Sequence, residues 1–130
     1  MHEKAYFSSY KNLNIIGDDK INLDVYNNTI NEDIDNMRSN LLIAYGQTGS
    51  GKTHTLVGNP EEMGLIPLAV KNLIDKGLSI KLSVLEIYND NIYDLISYTK
   101  NRLFIYEVNK RIKYKQPPAN ITVSSRDQLN

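Results

Sequence analysis

The sequence contains no cysteine and no tryptophan, and it has only two phenylalanines and four prolines among 130 residues. Without cysteine, disulfides and thiolate metal sites are excluded. Its 15 basic and 15 acidic residues leave no net charge, which argues against capture of nucleic acid or an anionic membrane by overall electrostatics. No secretory signal and no apolar run of membrane-spanning length is present, so neither secretion nor a membrane span is indicated. The length suffices for one domain with its own core, and a cytoplasmic location is the default expectation.

What the sequence does contain is a glycine-rich segment directly after an apolar run. Residues 41–45 (LLIAY) precede residues 46–53 (GQTGSGKT), which match the phosphate-binding motif G-x-x-x-x-G-K-[ST]. We predict that residues 41–45 form a short buried strand and that a helix begins near Lys52. Glycines let the loop backbone approach an anion, and the helix start adds the positive end of its dipole. The Lys52 ammonium would then reach the β- and γ-phosphates, and the Thr53 hydroxyl would bind Mg²⁺.

Amphipathic helices are predicted on both sides of this motif. The first begins near Asn22 or Asp24, either of which can cap it, and runs to about Met37. The second is opened by residues 65–67, where Pro67 suits a first helical position, and it ends at Gly77. The apolar face of the first helix consists of residues 26, 30, 34 and 37, and that of the second consists of residues 69, 70, 73 and 74.

Strands are predicted in the second half of the sequence. Residues 80–88 become apolar on both faces, as a strand in the centre of a sheet does. Asn89-Asp90 then turns the chain, and residues 92–96 are predicted to form a short helix. A capping-box pattern at residues 125–128 indicates the start of another helix, so we interpret the sequence as the front part of a larger domain. Further candidate strands are residues 5–7 and 13–16.

A hairpin with one basic face is also predicted. Residues 103–108 and 111–115 are expected to pair around Asn109-Lys110, and cations alternate with apolar residues in the second arm. Lysine is common on solvated edge strands, where it prevents pairing with other chains. The residue types alone favour that interpretation over a docking surface. The cations of the arm are Arg111, Lys113 and Lys115.

Two separate motifs of this sequence resemble the kinesin motor domain. Residues 44–55 (AYGQTGSGKTHT) are similar to that family's phosphate-loop signature with its flanks, and residues 83–96 (SVLEIYNDNIYDLI) are similar to its S-x-L-E-I-Y-N-E-x-I-x-D-L-L segment. Between them, residues 64–67 (GLIP) resemble the family's G-I-I-P. The resemblance is clear over residues 22–130 and uncertain over residues 1–21. It implies an α/β P-loop NTPase fold, with a central mixed sheet flanked by helices, of which residues 1–130 form an incomplete, N-terminal part.

The resemblance also implies cofactors, a partner and a location. ATP and Mg²⁺ would be the cofactors, the microtubule would be the partner, and the protein would lie on the cytoskeleton in the cytoplasm. His54 matches the position that stacks on adenine in some members, whereas the residue alone indicates only a half-exposed helix position. The basic arm falls near the family's microtubule face, and tubulin is acidic. Thr53 would also be the Mg²⁺ ligand. The residues of the implied nucleotide site are Gly46, Gln47, Thr48, Gly49, Ser50, Gly51, Lys52, Thr53 and His54.

The sequence departs from the family in the parts that support hydrolysis. The first switch, N-x-x-S-S-R-S-H, and the second, D-x-A-G-S-E, are absent, as is the R-x-R-P stretch that packs on adenine. In the family the switches orient the attacking water and help to anchor Mg²⁺. We therefore predict nucleotide binding with very slow turnover, and we assign no catalytic residue. Glu86 and Asp94 are the remaining candidate carboxylates, although the family pattern makes Glu86 structural.

Three functions stay open at this point. The leading hypothesis is a kinesin-like, ATP-binding part of a motor for microtubule-based movement. The second is a non-catalytic nucleotide-binding module that docks on tubulin or on another motor. The third is a small independent P-loop enzyme such as a nucleotide kinase, against which the kinesin-type flanks and the lack of an arginine-rich lid both count.

Overall fold

A computed structural model of the protein describes residues 16–17, 20–99 and 101–125. The helices of these residues are α1 (Asn22–Thr29), α2 (Asn31–Asp35), α3 (Lys52–Leu56) and α4 (Leu65–Asp75). Their strands are β1 (Ile80–Leu82), β2 (Leu85–Tyr88), β3 (Asn91–Asp94), β4 (Arg102–Leu103), β5 (Ile105–Val108), β6 (Arg111–Tyr114) and β7 (Ile121–Val123). The chain divides into two compact units, Met1–Leu65 and Ile66–Asn130.

The predicted first helix is in fact two helices, α1 and α2, with a break at Ile30, where φ is −114°. The N-cap of α1 is Ile21, so neither predicted cap is right, although Asp24 Oδ2 accepts the Ile21 N–H at 3.3 Å. Near the break, Thr29 Oγ1 donates to Val25 O at 2.6 Å. Side-chain bonds of this kind compete with the helical backbone and bend it, which accounts for the interruption.

The apolar face predicted for this region is confirmed except at its end. Tyr26 and Ile30 are buried, and Ile34 is half-buried. Met37 lies beyond the end of α2, has a φ of 54° and is exposed. Its predicted place on the face is wrong because the helix has already ended at Asp35.

The buried strand predicted before the glycine-rich loop is wrong. Residues 41–45 have no strand pairing, and the side chains of Leu41, Ile43 and Tyr45 are 82%, 73% and 97% exposed. A strand requires a neighbour that accepts and donates its backbone hydrogen bonds. Among the described residues no segment supplies that neighbour, so the apolar run stays uncovered.

The predicted second helix is confirmed as α4. It begins at Leu65, and Pro67 occupies its first turn, where a helix does not need the missing N–H. Gly77 ends it with a φ of 78°. The Gly77 N–H donates to Ile74 O at 2.8 Å, which satisfies a carbonyl that the helix end leaves free.

The core of the second unit lies between α4 and the antiparallel β1–β7 pair. In that pair Ile80 is opposite Val123. Val70 and Ile74 of α4 are buried with Val123, and Ile80 packs against them. The predicted apolar stripe of α4 is therefore its packing face.

The single strand predicted over residues 80–88 is wrong, and so is the helix predicted over residues 92–96. The first part of the strand is β1, whereas its second part, β2, belongs to a separate sheet of order β2-β3-β4. Asn89 and Asp90 have φ values of 47° and 57°, which suit a two-residue hairpin turn. That turn directs the chain back along β2, so that residues 91–94 pair with it as β3 instead of forming a helix.

The predicted hairpin is confirmed as β5–β6, with Asn109 and Lys110 in its turn at φ values of 52° and 59°. Its first arm begins later than predicted, because Leu103 belongs to β4 and pairs with β3. Where the sequence predicts one central mixed sheet, the described strands form three separate antiparallel sheets. No helix in the described part of the chain is long and apolar enough to cross a membrane. Apart from Ile16 and Ser125, the candidate strands near the N-terminus and the capping box at residues 125–128 lie outside the described residues.

Candidate functional site

Two glycines give the loop before α3 its shape. A Cβ on Gly46 would lie 2.5 Å from Ser50 Oγ and 3.2 Å from Ser50 Cβ, so the serine side chain would have to move to make room for it. Gly51 is the N-cap of α3 and has a left-handed φ of 86°, a conformation that is costly for other residues. The Ser50 N–H donates to Gln47 O at 3.2 Å and closes the turn between them. Glycine therefore stands where a close approach and a positive φ require it.

The Lys52 side chain folds back onto the loop that precedes it. Its Nζ donates to Gly46 O at 2.8 Å and to Gln47 O at 2.6 Å, and Ser50 Oγ lies 3.4 Å away. An ammonium has three donor hydrogens, and these contacts use all of them. The cation is thus held against the loop backbone, and a phosphate bound there would compete with the loop carbonyls for it.

The predicted phosphate-binding residues lie open to solvent. Residues 46–51 are exposed, as are Thr53 and His54, while Lys52 is half-buried. Because α3 has only five residues, few peptide dipoles add up at its start. The positive potential of the loop therefore comes mainly from its own N–H groups and from the Lys52 ammonium.

His54 lies in α3 and contacts two residues from other segments. Its Nε2 is 3.3 Å from Glu62 Oε2, with side-chain exposures of 45% and 30%. Its carbonyl oxygen accepts a hydrogen bond from Asn22 Nδ2 at 3.0 Å. The Asn22 N–H in turn donates to Glu62 Oε1. His54 is therefore held on one side and half-exposed on the other.

Sequence reasoning missed both partners of His54. The sequence predicts Asn22 only as a possible helix cap, and no motif marks Glu62. A signal was present in the pair Gly58 and Gly64, which bracket a tight turn closed by the Gly64 N–H donating to Val57 O at 3.2 Å. The contact between Asn22 and Glu62, 40 residues apart, follows no local periodicity and was not predictable.

The donor set near the loop is compatible with Mg²⁺ held jointly by protein and phosphate. The described residues contain no group of three or more His, Asp or Glu that could hold a metal ion by themselves. Mg²⁺ usually keeps several waters and takes only one or two protein ligands together with phosphate oxygens. The hydroxyl of the exposed Thr53, next to Lys52 and the glycine loop, suits that kind of site.

Asp94, one of the two candidate carboxylates, is committed to the backbone of the second unit. Its Oδ1 accepts the N–H groups of Ile96 and Ser97 at 2.9 and 3.3 Å, and its Oδ2 accepts that of Ala119 at 2.7 Å. The Ala119 hydrogen bond, followed by the other two, holds the pKa of this buried carboxyl below its usual value, although burial acts in the opposite direction. Asp94 therefore ties the end of β3 to residue 119, and both of its oxygens are occupied.

The cations of the β5–β6 hairpin lie beside apolar side chains. Arg111 is opposite Val108, and Lys113 is opposite Tyr106, so these four side chains share one face. All four are exposed. Glu107 pairs with Ile112 and lies on the opposite face. The basic face predicted from the sequence is thus present, and none of its cross-strand pairs contains an acidic residue.

Lys115 extends this arm towards a small cavity of about 140 Å³. The cavity is lined by Arg102, Leu103, Phe104, Lys115 and Gln116. The Lys115 N–H donates to Phe104 O at 2.9 Å. Arg102 Cζ lies 5.0 Å from the centre of the Phe104 ring, a cation–π arrangement. The base of the hairpin therefore adds another cation to those of the arm.

Comparisons with known proteins agree on one family. A sequence profile of the kinesin motor domain matches residues 3–129. The kinesin-like protein KIP2 of Saccharomyces cerevisiae is 44% identical over 88 residues, which are 58% of this chain and 12% of KIP2. The kinesin-1 heavy chain of Homo sapiens is 39% identical over 99 residues, 68% of this chain and 10% of its own length. The kinesin-like protein tea2 of Schizosaccharomyces pombe is 31% identical over 128 residues, 90% of this chain and 20% of tea2.

Solved structures show the same similarity. The structure of a fast kinesin matches with a TM-score of 0.72 and 26% identity, over 85% of this chain and 35% of its own. A KIF14 dimer, solved in the two-heads-bound state with AMP-PNP in complex with a microtubule, matches with a TM-score of 0.70 at the same identity and coverage. The chain spans about a third of these structures and a fifth or less of the three relatives. The predicted P-loop NTPase fold class is confirmed, and the chain belongs to the kinesin motor-domain family.

Proposed function

We propose that this chain binds ATP with Mg²⁺ through residues 46–54 and serves as part of a motor for microtubule-based movement in the cytoplasm. The observation that carries the proposal is the loop itself, in which Lys52 Nζ is held against the carbonyls of Gly46 and Gln47. Proteins of the kinesin motor family bind nucleotide with Mg²⁺ and associate with the cytoskeleton. The residue types of the loop, three glycines followed by Lys52 and Thr53, support the proposal.

Each part of the loop has a defined task in this proposal. The N–H groups of residues 46–51 other than that of Ser50, which donates to Gln47 O, donate to the phosphate oxygens. The Lys52 ammonium exchanges its carbonyl contacts for the β- and γ-phosphates. The Thr53 hydroxyl takes one position on Mg²⁺, which neutralises charge on the phosphates when it is bound. The exposed side of His54 meets the adenine. A phosphate can reach the Lys52 ammonium because the loop lies open to solvent.

Hydrolysis needs groups beyond the loop. Phosphoryl transfer to water depends on a residue that orients the attacking water and on a further anchor for Mg²⁺. The sequence lacks both switch motifs of the family, and Asp94 is bound to three backbone N–H groups. We therefore expect nucleotide binding with very slow turnover by this chain alone.

The β5–β6 hairpin supplies the surface proposed for tubulin. Its basic face presents Arg111 and Lys113 beside exposed apolar side chains, and such a face is attracted to acidic protein surfaces. The similar KIF14 structure is a complex with a microtubule, which supports a microtubule as the partner. The same hairpin favours the second candidate function, a non-catalytic module that docks on tubulin or on another motor.

Two measurements with Mg²⁺, a titration of ATP binding and an assay of phosphate release, separate these functions when each is made with and without microtubules. We expect saturable ATP binding with almost no release under either condition. Microtubule-stimulated turnover would contradict the requirement for the switches. Transfer of phosphate to a nucleoside monophosphate would support the small P-loop enzyme instead. Failure to bind ATP would overturn the proposal.

The docking surface is tested separately by reversing charge on the hairpin. The double variant Arg111→Glu/Lys113→Glu should co-sediment with microtubules about tenfold more weakly than the wild type, because the attraction to an acidic surface becomes repulsion. Lys81→Glu, at an exposed lysine in β1, is the control for charge, and it is compared with the single variant Lys113→Glu, which makes the same change in the hairpin. Equal weakening by the control would show that net charge alone, and not the hairpin, governs binding.

A further inference from the structure

The carboxylate of Glu62 bridges two groups that belong to different helices. Its Oε1 accepts the N–H of Asn22, the first residue of α1. Its Oε2 lies 3.3 Å from Nε2 of His54 in α3. Asn22 is only 4% exposed, and its side chain donates to His54 O at 3.0 Å. The three residues therefore form a closed cluster in which each contacts the other two.

The backbone fixes Glu62 in this position. Asn59 Oδ1 accepts the Glu62 N–H at 2.8 Å, and the Asn59 N–H donates to Glu62 O at 2.8 Å. Gly58, with a φ of 86°, approaches so closely that a Cβ there would lie 2.3 Å from Glu62 O. These contacts fix the Glu62 backbone, from which the carboxylate reaches its two partners.

The cluster determines which part of His54 is available. A carboxylate beside Nε2 favours a proton on that nitrogen, which leaves Nδ1 as the acceptor in the neutral ring. The Asn22 contact fixes the backbone of His54, and the Glu62 contact fixes its ring. Because the side chain is still 45% exposed, one side of a ring with a defined orientation remains open to a ligand.

We infer that Glu62, itself held by Asn22, is a positioning residue that orients His54 for the base of the nucleotide. The inference rests on the proposed function, because it assumes that residues 46–54 bind ATP. It assigns recognition of the base to a cluster that lies outside the phosphate-binding motif. The chemistry implies that Glu62 contributes to affinity for a ligand with a base and not to affinity for bare phosphates.

A comparison of ATP with inorganic tripolyphosphate, both with Mg²⁺, separates the two contributions. Tripolyphosphate contacts the loop but carries no base. Glu62→Gln keeps an oxygen that can accept the Asn22 N–H and loses the charge beside His54. We expect this variant to bind ATP about threefold to tenfold more weakly and to bind tripolyphosphate as the wild type does. Glu61→Gln is the matched control, because it makes the same change in the exposed neighbouring residue.

A double-mutant cycle shows whether Glu62 acts through His54. If it does, His54→Ala weakens ATP binding at least as much as Glu62→Gln, and the double variant is no weaker than His54→Ala alone. Additive losses would overturn the inference. Equal losses of ATP and tripolyphosphate affinity in Glu62→Gln would also overturn it, because the cluster would then only anchor α3. A wild type that binds neither ligand would overturn the proposed function together with the inference.

Discussion

Replacing Gly58 by alanine tests how the turn of residues 58–64 is held together. Gly58 has a φ of 86°, and a Cβ there would lie 2.3 Å from both Glu62 O and Gly64 N. A left-handed φ costs an L-residue about 1–2 kcal/mol, and an extra group forced into packed surroundings costs about 1–3 kcal/mol. Because backbone atoms cannot rotate away, both costs apply. We expect Gly58→Ala to lower the free energy of unfolding by about 2–5 kcal/mol.

Two other glycines separate these costs. Gly77 has a φ of 78° but open space around its Cβ, so Gly77→Ala should lose only the conformational part, about 1–2 kcal/mol. Gly64 is not left-handed, but its Cβ would lie 2.4 Å from the carbonyl carbon of Val57, so Gly64→Ala should lose the steric part, about 1–3 kcal/mol. Urea unfolding followed by circular dichroism gives each loss. The reasoning is refuted if Gly58→Ala loses no more than Gly77→Ala.

Three further changes test other parts of the structure. Lys110→Gly should stabilise the β5–β6 hairpin by about 0.5–1 kcal/mol in urea unfolding, because Lys110 has a φ of 59°; a loss of stability would contradict the turn geometry. Ile74→Ala, in the core of the second unit, should cost about 2–5 kcal/mol, and a loss below about 1 kcal/mol would show that this core is not packed. Asp94→Asn should flatten the acid dependence of stability. The Ala119 N–H and the two other donors lower the pKa of Asp94 below its usual 3.8, so its ionised form stabilises the fold above that pH, and the contribution is lost as the pH falls through the lowered pKa. Urea midpoints measured from about pH 5 to about pH 2 check this, and parallel curves for the wild type and the variant would contradict it.

Local sequence chemistry predicted the parts of the structure that depend on neighbouring residues. The helix that begins at Lys52, the helix that ends at Gly77 and the hairpin around Asn109-Lys110 all follow from a turn or a period of a few residues. The family could be predicted for the same reason, since its motifs are short and specific.

The errors concern contacts between segments that are distant in the sequence. An apolar run such as residues 41–45 is compatible with a buried strand, but whether it becomes one depends on a pairing partner that the run itself does not specify. The turn at Asn89-Asp90 is predicted correctly, but the apolar pattern after it favours a helix. The residues form β3 instead because they pair with β2. The Asn22–Glu62 contact has no local signal, because two polar residues 40 positions apart met only through the folded turn.

Equilibrium titration with ATP and Mg²⁺ of the wild type and of Lys52→Ala tests the nucleotide site most directly. The ammonium held at the loop carbonyls is the group assigned to the β- and γ-phosphates, so its removal should weaken binding at least tenfold, about 1.4 kcal/mol. Lys81→Ala, an exposed lysine outside the loop, should bind as the wild type does. An affinity of Lys52→Ala equal to that of the wild type would contradict the assignment of the site.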